Sequence, residues 1–256
     1  MRFAPFTARG KHLSVLLTRP TEGRSTLRSD RTVVILQPCF LPWRGQFDLM
    51  SRAEIVIFLD TVQYTSGNWL NRNRIMTRDG VKWLTVPVRK AGGHNAKIKD
   101  IEIDNTRGWQ RKMWATIEQS YGKYPHFETY RDELRYLVSD SWERLAPLAE
   151  RTVRWGFAQV GRAPSFLRAS EMDVDADDPV RRIVDLCQAV SATRYLSGPA
   201  GKNYIDETKF QAAGIELEWM NYSYPSYPQV RVTDVPLSIL DLLFNSGPDA
   251  SSYIWT

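Results

Sequence analysis

The sequence has few of the features that mark secreted or membrane proteins. Only Cys39 and Cys187 are cysteines among its 256 residues, too few for a disulfide framework. No run approaches the roughly 18 consecutive apolar residues that a transmembrane helix needs. We therefore expect a cytoplasmic protein that makes no contact with membranes.

The N-terminal segment lacks the apolar core and the small-residue cleavage site of a signal peptide. It is basic, rich in Thr and Ser, and shows no hydrophobic period. We expect residues 1–30 to be a disordered tail, or the result of a start codon placed too far upstream, and residues 31–256 to form a single α/β domain.

Familiar catalytic and metal-binding motifs are also missing. His12, His94 and His126 do not have metal-ligand spacing, and neither Cys-x-x-Cys nor Gly-x-Ser-x-Gly occurs. Cys39 lies in a loop before a predicted helix, where a thiol pKa can fall, but no histidine is near it in sequence. An ordinary buried cysteine is the favoured interpretation, and the sequence predicts no metal and no resident cofactor.

Hydrophobic patterning indicates the fold. Residues 33–36 and 54–59 are predicted buried strands, and the helix predicted over 44–53 joins them into a βαβ unit. Strands at 74–77 and 81–88 flank Arg78-Asp79-Gly80, a hairpin signal, and residues 98–103 form a further predicted strand. Downstream, predicted helices alternate with short strands: helices over 106–121, 124–138, 140–161, 180–190, 206–213 and 237–244, and strands over 165–168, 194–196 and 215–219. We expect an α/β fold with a mixed, mainly parallel Rossmann-like sheet, helices on both faces and a β-hairpin insertion.

Charge is unevenly distributed around a net value of +5. The segment 67–99 contains a single acid, Asp79, among many basic residues: Arg72, Arg74, Arg78, Lys82, Arg89, Lys90, Lys97 and Lys99. Such a segment attracts phosphates, carboxylates or nucleic acid, although a solvated basic surface is equally consistent with it.

The loop after the first strand reads Gln37-Pro-Cys-Phe-Leu-Pro-Trp43-Arg-Gly45. Ligands of open α/β sheets bind beyond the carboxyl ends of strands, and the following helix offers free N–H groups to an anion. Gln37 and Trp43 are therefore candidate site residues. The alternative is a packed turn whose tryptophan covers the core.

The loop after the second strand reads Asp60-Thr-Val-Gln63-Tyr64. It brings a carboxylate, an amide and a phenol beside the first loop if the two strands are neighbours. Asp60 is suited to orienting an amine, accepting a proton or binding Mg²⁺. It is equally suited to capping a helix or pairing with Arg72, and the sequence leaves these alternatives open.

Asn and Arg alternate after Trp69 and Leu70. In an extended segment Asn71 and Asn73 share one face, and Arg72 and Arg74 share the other. Two arginines on one face suit a phosphate or carboxylate. A charged, solvated edge strand is the alternative.

Two later segments complete the candidate site. Ser197 and Gly198 open a small-residue loop that lacks the Walker pattern but follows a predicted strand. The segment 222–229 carries Tyr224, Tyr227 and Gln229, with Pro225 and Pro228 among them. Its aromatic rings either stack on a base or sugar, or are simply packed.

Taken together, these blocks resemble the WbqC-like family, from about Val33 to Gly247. The resemblance rests on Gln37-Pro-x-Phe-x-Pro-Trp-x-Gly45, Asp60-x-Val-Gln-Tyr64, Trp69-x-Asn-Arg-Asn-Arg74, Leu84-Thr-Val-Pro-Val88, Tyr195-Leu-Ser-Gly198, Tyr224-Pro-x-Tyr-Pro-Gln229 and Leu237-Ser-Ile-Leu-Asp-Leu-Leu-Phe-Asn245. It implies an enzyme of bacterial O-antigen or other polysaccharide synthesis that transfers glycine or another aminoacyl group to an amino sugar.

The first functional hypothesis is an acyl or aminoacyl transferase that forms an amide on an amine-bearing sugar or small metabolite. Asp60 would position or deprotonate the amine, and Gln37 and Asn71 would orient the carbonyl. Arg72 and Arg74 would bind the phosphate of an activated donor or of a nucleotide-linked acceptor, and aminoacyl-tRNA is a further candidate donor. The remaining predicted substrate-binding residues are Trp43, Gln63, Tyr64, Trp69, Asn73, Ser197, Gly198, Tyr224, Tyr227 and Gln229, and we expect these loops to converge on one cleft.

Two alternatives remain open. A nucleotide-dependent ligase or nucleotidyltransferase fits the opening strand, loop and helix, but Pro42-Trp43-Arg44-Gly45 stands where its His-x-Gly-His would be. A noncatalytic ligand- or RNA-binding protein would also fit the basic segment. The sequence does not indicate an oligomeric state.

Overall fold

The computed structural model describes residues 30–89 and 95–255. Residues 1–29, predicted to be a tail, and residues 90–94 lie outside the described residues. His12, His94 and Lys90 therefore receive no structural assignment.

A five-stranded parallel sheet forms the centre of the described chain. Its strands are β1 (Thr32–Leu36), β2 (Ile55–Phe58), β7 (Ser165–Arg168), β8 (Arg194–Ser197) and β9 (Glu216–Trp219). They lie in the order β7-β2-β1-β8-β9, with in-register pairs such as Val34 with Val56 and Tyr195 with Leu217. β-Branched runs form the middle strands because both faces of the sheet are covered.

Alternate residues of the strands face two separate cores. The helices that cover them are α1 (Arg44–Ser51), α2 (Trp109–Tyr121), α3 (Phe127–Ser139), α4 (Leu145–Val160), α5 (Pro179–Ala189), α6 (Glu207–Ala212) and α7 (Ile239–Ser246). Val34 and Val56 pack on one face in the larger cluster, which includes residues of α1, α2, α3, α4 and α7. Val33 and Ile57 point to the opposite face, where α5 and α6 cover them. None of the helices in the described ranges has the length and apolar character needed to cross a membrane.

The predicted hairpin is present as β3 (Arg72–Thr77) and β4 (Gly80–Thr85). Its turn uses Gly80 at φ +101°, a conformation that favours glycine. The strand predicted over 81–88 ends early because Pro87 cannot donate a ladder hydrogen bond. A second antiparallel pair follows, formed by β5 (Val88–Arg89) and β6 (Glu102–Ile103).

Two predicted elements differ most from the structure, while other predicted boundaries are displaced by up to three residues. Residues 98–103 begin with a 3₁₀ turn, Ile98–Asp100, and only Glu102–Ile103 is strand. The helix predicted from Asp140 begins at Leu145, since Trp142 folds back and donates its indole N–H to the Leu137 carbonyl. The α/β class is confirmed, and within the described chain the antiparallel pairs lie outside the central sheet, which is wholly parallel.

Candidate functional site

The sheet contains a topological switch point between β1 and β8. The chain runs from β1 to β2 and β7 on one side, and from β8 to β9 on the other. Gln37 directly follows β1, and Gly198 directly follows β8. This crevice at the carboxyl ends of adjacent strands is where α/β proteins commonly bind ligands.

The loop from Gln37 to Trp43 is fixed by a residue of the hairpin. The buried Asn73 side chain donates its amide N–H groups to the carbonyls of Leu41 (2.8 Å) and Phe40 (3.2 Å). Leu41 adopts φ +45°, so these bonds stabilise an unfavourable backbone conformation. Asn71, on the same face, donates to the Val86 carbonyl at 2.8 Å. The alternation of the two asparagines and the two arginines is therefore confirmed. The side-chain amides of both asparagines donate hydrogen bonds to backbone carbonyls.

Trp43 ends this loop and lies over Gly45. A Cβ atom at position 45 would be 2.3 Å from the Cη2 atom of the indole, so only glycine allows this approach. The indole also makes edge contacts with Tyr222 and Tyr224, with ring centroids 5.1 and 6.0 Å away. Tyr222 in turn reaches Gly198, where its hydroxyl would lie 3.4 Å from an added Cβ. Trp43 thus connects the β1 loop to the loop after β8.

Two adjoining cavities share Trp43 and Pro236, and we call them together the Trp43 groove. One, of about 240 Å³, is bounded by Trp43, Gln46, Trp69, Asn73 and Pro236. The other, of about 250 Å³, has Arg44, Tyr227, Gln229 and Ser238 among its lining residues. Five of the predicted site residues therefore meet at one groove: Trp43, Trp69, Asn73, Tyr227 and Gln229.

A cluster of arginine and tryptophan side chains begins at the Trp69 edge of the groove. We call Trp69, Arg72, Arg74 and Trp83 the arginine–tryptophan platform. The Arg72 guanidinium carbon lies 4.1 Å from the Trp83 ring centroid, and that of Arg74 lies 5.0 Å from both indoles. The two indoles contact each other at 4.9 Å and remain 36% and 39% exposed.

The charges of the platform are not neutralised by nearby carboxylates. Within the described residues neither Arg72 nor Arg74 forms a salt bridge. Arg72 donates through Nη2 to the Gly67 carbonyl, while its buried Nε has no hydrogen-bond partner in the same part of the chain. Burial raises the pKa of the Tyr64 phenol, and the nearby positive charge of Arg72 opposes this rise. A guanidinium stacked on an indole keeps its N–H edges available to an anion.

The tyrosine segment, residues 222–229, is tied to two buried carboxylates. The Tyr224 hydroxyl donates to Asp48 at 2.9 Å, and that of Tyr227 donates to Asp241 at 2.7 Å. Burial, reinforced by these carboxylates, raises the pKa of both phenols well above their usual range. Arg44 lies over both rings and donates to the Pro225 carbonyl. The hydroxyl groups of these two tyrosines therefore hold the segment in place, and the ring of Tyr227 lines the groove.

Asp60 makes a local structural contact at the other side of β1. Its buried carboxylate accepts hydrogen bonds from the backbone N–H (2.9 Å) and the hydroxyl (2.6 Å) of Ser170. Ser170 belongs to the 3₁₀ turn Ala169–Glu171, so Asp60 caps this turn, and within the described chain it forms no ion pair with Arg72. Gln63 is exposed and forms a β-bridge with Lys97. Neither Asp60 nor Gln63 is among the residues that line the Trp43 groove.

The thiol of Cys39 is buried beneath the β1 loop. Gln46 donates an amide N–H to its sulfur at 3.3 Å, and burial nevertheless raises the pKa of the thiol to about 11. A buried thiol with a raised pKa is a poor nucleophile at neutral pH. Within residues 30–89 and 95–255 no cluster of three or more His, Cys, Asp or Glu side chains has the arrangement of a metal site.

Sequence reasoning missed several residues at the groove and platform. Trp83 is directly opposite Arg74 in the hairpin, a pairing that follows from counting outward from the turn at Gly80. Gln46, Ser238 and Pro236 carried no such signal. Ser238 reaches the groove because its N–H donates to the Arg74 carbonyl, 164 positions away in the chain.

Comparison with known proteins agrees with the resemblance of the sequence blocks. The chain is 35% identical to the uncharacterized protein Rv1507c of Mycobacterium tuberculosis over 227 residues, which cover 88% of this chain and 97% of that protein. It is 26% identical over 176 residues to the C-glycoside deglycosidase alpha subunit of Arthrobacter globiformis, covering 66% of this chain but 46% of that subunit. No solved structure is significantly similar to the chain. Because the WbqC-like protein family model matches residues 37–253, which include the groove and the platform, the chain belongs to the WbqC-like protein family.

Proposed function

We propose that the chain binds an anionic, sugar-containing substrate at the Trp43 groove and the arginine–tryptophan platform, and transfers an acyl or aminoacyl group to an amine on it. One observation carries this proposal. Arg72 and Arg74 are held over two exposed indoles, without carboxylate partners in the described chain, at the edge of a cavity that Trp69 also lines.

The chemistry of the site suits a phosphorylated or nucleotide-linked sugar. Guanidinium groups bind phosphate oxygens through paired, charge-assisted hydrogen bonds. Indole faces bury the apolar C–H surface of a sugar ring, while the amides of Gln46 and Gln229 supply polar contacts in the groove. The similarity to a protein named as a subunit of a C-glycoside deglycosidase supports a sugar-containing substrate.

In the proposed reaction the substrate amine attacks the acyl carbonyl of the donor. A C–N bond forms, the bond from the carbonyl carbon to the leaving group breaks, and a base takes the proton from nitrogen. Gln37 directly follows β1 at the switch point, and its proposed role is to orient a carbonyl. The roles of Asp60 and Asn71 stay predictions, since both side chains are engaged by other parts of the fold, through Ser170 and Val86.

Several sequence predictions keep that status. Aminoacyl-tRNA as donor, a cytoplasmic location, and the ligase and noncatalytic alternatives all remain predictions. Thermal protection by ATP would favour the ligase hypothesis. Binding to RNA that weakens steeply with salt would favour the noncatalytic one.

The proposal is tested by isothermal titration with amino sugar phosphates, such as glucosamine 1-phosphate, and their nucleotide-linked forms. Arg72→Lys and Arg74→Lys keep the charge but lose the two-pronged contact. Charge-assisted hydrogen bonds are worth about 1.5–3 kcal/mol, so whichever arginine contacts the anion should lose roughly ten- to hundredfold in affinity.

Arg78→Lys is the matched control, because Arg78 is exposed at the turn of the same hairpin. It should change affinity by less than about twofold, and all three variants should keep their stability within about 0.5 kcal/mol. Unchanged affinity in all three, or no binding of any such sugar by the wild type, would identify the platform as a solvated edge of the hairpin.

A further inference from the structure

A second groove, of about 340 Å³, lies between β4 and α2 and is also lined by Trp83. Its lining includes Trp83, Thr85 and Pro87 from the hairpin side, Arg107 from the 3₁₀ turn before α2, and Trp109 and Lys112 from α2. We call it the β4–α2 groove. Its size falls within the usual range for small-ligand sites, roughly 300–1,000 Å³.

The charges of the β4–α2 groove are of one sign. Among the described residues, Arg107 and Lys112 are the charged lining residues, and no carboxylate lines the groove there. Both side chains are exposed and form no salt bridge within the described residues. Asp104 interacts electrostatically with Arg107, but its carboxylate accepts hydrogen bonds from the hydroxyl and the N–H of Thr106. These two hydrogen bonds are the main cause of the lowered pKa of Asp104. Two cations without carboxylate partners are therefore free to bind an anion.

Trp83 joins this groove to the platform. The indole lines the groove and also carries Arg72 at 4.1 Å and Arg74 at 5.0 Å from its ring centroid. With 39% of its surface exposed, the indole keeps apolar area accessible while Arg72 and Arg74 lie over its ring. A ligand stacked on Trp83 within the groove would also meet the basic side chains of Arg107 and Lys112.

We propose that the β4–α2 groove binds the nucleoside diphosphate of a nucleotide-linked substrate, with its base stacked on Trp83 and its phosphates held by Arg107 and Lys112. This inference rests on the proposed function and names the class of its second substrate: a nucleotide-linked compound, bound beside the sugar phosphate that Arg72 and Arg74 hold. Every base presents a π-face, so stacking on Trp83 fits a nucleotide without specifying which base.

The geometry favours a single nucleotide over an RNA strand. Sequence-tolerant binding of single strands uses successive aromatic platforms along a basic channel. Here Trp69 and Trp83 contact each other at 4.9 Å with a 53° tilt and so form one shared platform. The second aromatic residue of the groove, Trp109, is buried, and its indole N–H is engaged by Asn105. One stacking position in a groove that also contains Arg107 and Lys112 matches one nucleotide.

The test is isothermal titration of the full chain with UDP, CDP, GDP and ADP. We expect the wild type to bind at least one of them. Arg107→Gln and Lys112→Gln should each weaken that binding about five- to thirtyfold through loss of a charge-assisted contact. Trp83→Leu should weaken it about tenfold or more, in line with the effect of removing a stacked aromatic side chain.

Arg111→Gln is the matched control. Arg111 is exposed next to Lys112 on α2 but does not line the groove, so its loss should change affinity by less than about twofold. Melting temperatures of all four variants identify any that fail to fold. If Trp83→Leu does, the two cation variants still decide the outcome.

Two results would overturn the inference. One is that the wild type binds none of the four nucleotides, and the other is that every variant binds them as tightly as the wild type. Binding of a single-stranded RNA without binding of nucleoside diphosphates would also overturn it in favour of an RNA surface. The proposed function is measured separately, because glucosamine 1-phosphate binding should respond to Arg72→Lys or Arg74→Lys and not to Lys112→Gln.

Discussion

Replacing Asp241 with asparagine should destabilise the protein, because four donors converge on this buried carboxylate. The hydroxyls of Tyr121 and Tyr227 donate to it at 3.1 and 2.7 Å, and the amides of Gln229 and Asn245 donate at 3.2 Å. An asparagine side chain has one oxygen and one NH₂ group, so its hydrogens would face some of these donors. With its oxygen at the Oδ2 position the asparagine would lose the Tyr121 hydrogen bond, and in the opposite orientation it would lose the other three. In either orientation the remaining bonds go to a neutral oxygen, which accepts more weakly than a carboxylate.

The size of the effect follows from two opposing contributions. Hydrogen bonds to a charged group are worth about 1.5–3 kcal/mol each. Burial raises the pKa of Asp241, which shows that the site penalises the charge, and the neutral amide relieves that penalty. We expect the hydrogen-bond loss to exceed the relief, for a net destabilisation of about 2–4 kcal/mol. For a chain of this size that lowers the melting temperature by roughly 5–15 °C.

Urea and thermal unfolding followed by circular dichroism measure this difference. Asp234→Asn is the matched control, since Asp234 is an exposed acid close to the same groove and should change stability by less than about 0.5 kcal/mol. Tyr227→Phe removes a single donor and should cost about 1–2 kcal/mol. Equal or greater stability of Asp241→Asn would show that desolvation outweighs the hydrogen bonds and would refute the reasoning.

Three further predictions follow from buried groups. Because burial raises the pKa of Asp241, the folded state binds its proton more tightly than the unfolded state. The stability that this proton contributes is fully present below the ordinary carboxyl pKa and is lost as pH rises through the raised pKa. The stability advantage of wild type over Asp241→Asn, measured by urea unfolding, should therefore be larger near about pH 4 than near about pH 7. A Gly45→Ala substitution places a Cβ atom inside the Trp43 indole and should displace this ring, lowering the free energy of unfolding by about 1–3 kcal/mol and weakening ligand binding at the groove. Unchanged tryptophan fluorescence and unchanged ligand binding would contradict this. Burial raises the thiol pKa of Cys39 to about 11 and that of Cys187 to about 12. A thiol-specific disulfide reagent at pH 8 should therefore label neither cysteine within minutes in the native protein, and should label both in urea. Rapid labelling of the native protein would show an accessible thiolate and contradict this.

Local patterns in the sequence were sufficient for the hairpin. The Asp79-Gly80 turn determines the register, and period-two alternation places Arg72 and Arg74 on the face opposite Asn73. The bonds that Asn73 makes were not predictable in this way. Its partners are the carbonyls of residues 40 and 41, more than 30 positions away, and only the folded chain brings them together.

Asp60 illustrates a different limit of sequence reasoning. An acid at the end of a buried strand is a signal for a functional site, and the same signal arises when the acid caps a neighbouring turn. Here β2 pairs with β7, and this pairing brings Ser170 next to Asp60 across 110 positions of sequence. Because a hydroxyl and a backbone N–H occupy both carboxylate oxygens, capping is the role that the contacts of Asp60 describe.

The Trp43 groove depends on a segment that has no regular secondary structure of its own. Residues 220–237 contain neither helix nor strand, and irregular segments of this length are commonly mobile unless side chains fix them. Here Asp48 on α1 and Asp241 on α7 each hold one tyrosine, while Arg44 packs over both rings. Both helices contribute to the larger hydrophobic cluster, so the wall of the groove is attached to a buried core. A site held in this way loses little conformational freedom when a ligand binds, and for that reason breaking either attachment should weaken ligand binding even where the residue itself touches no ligand.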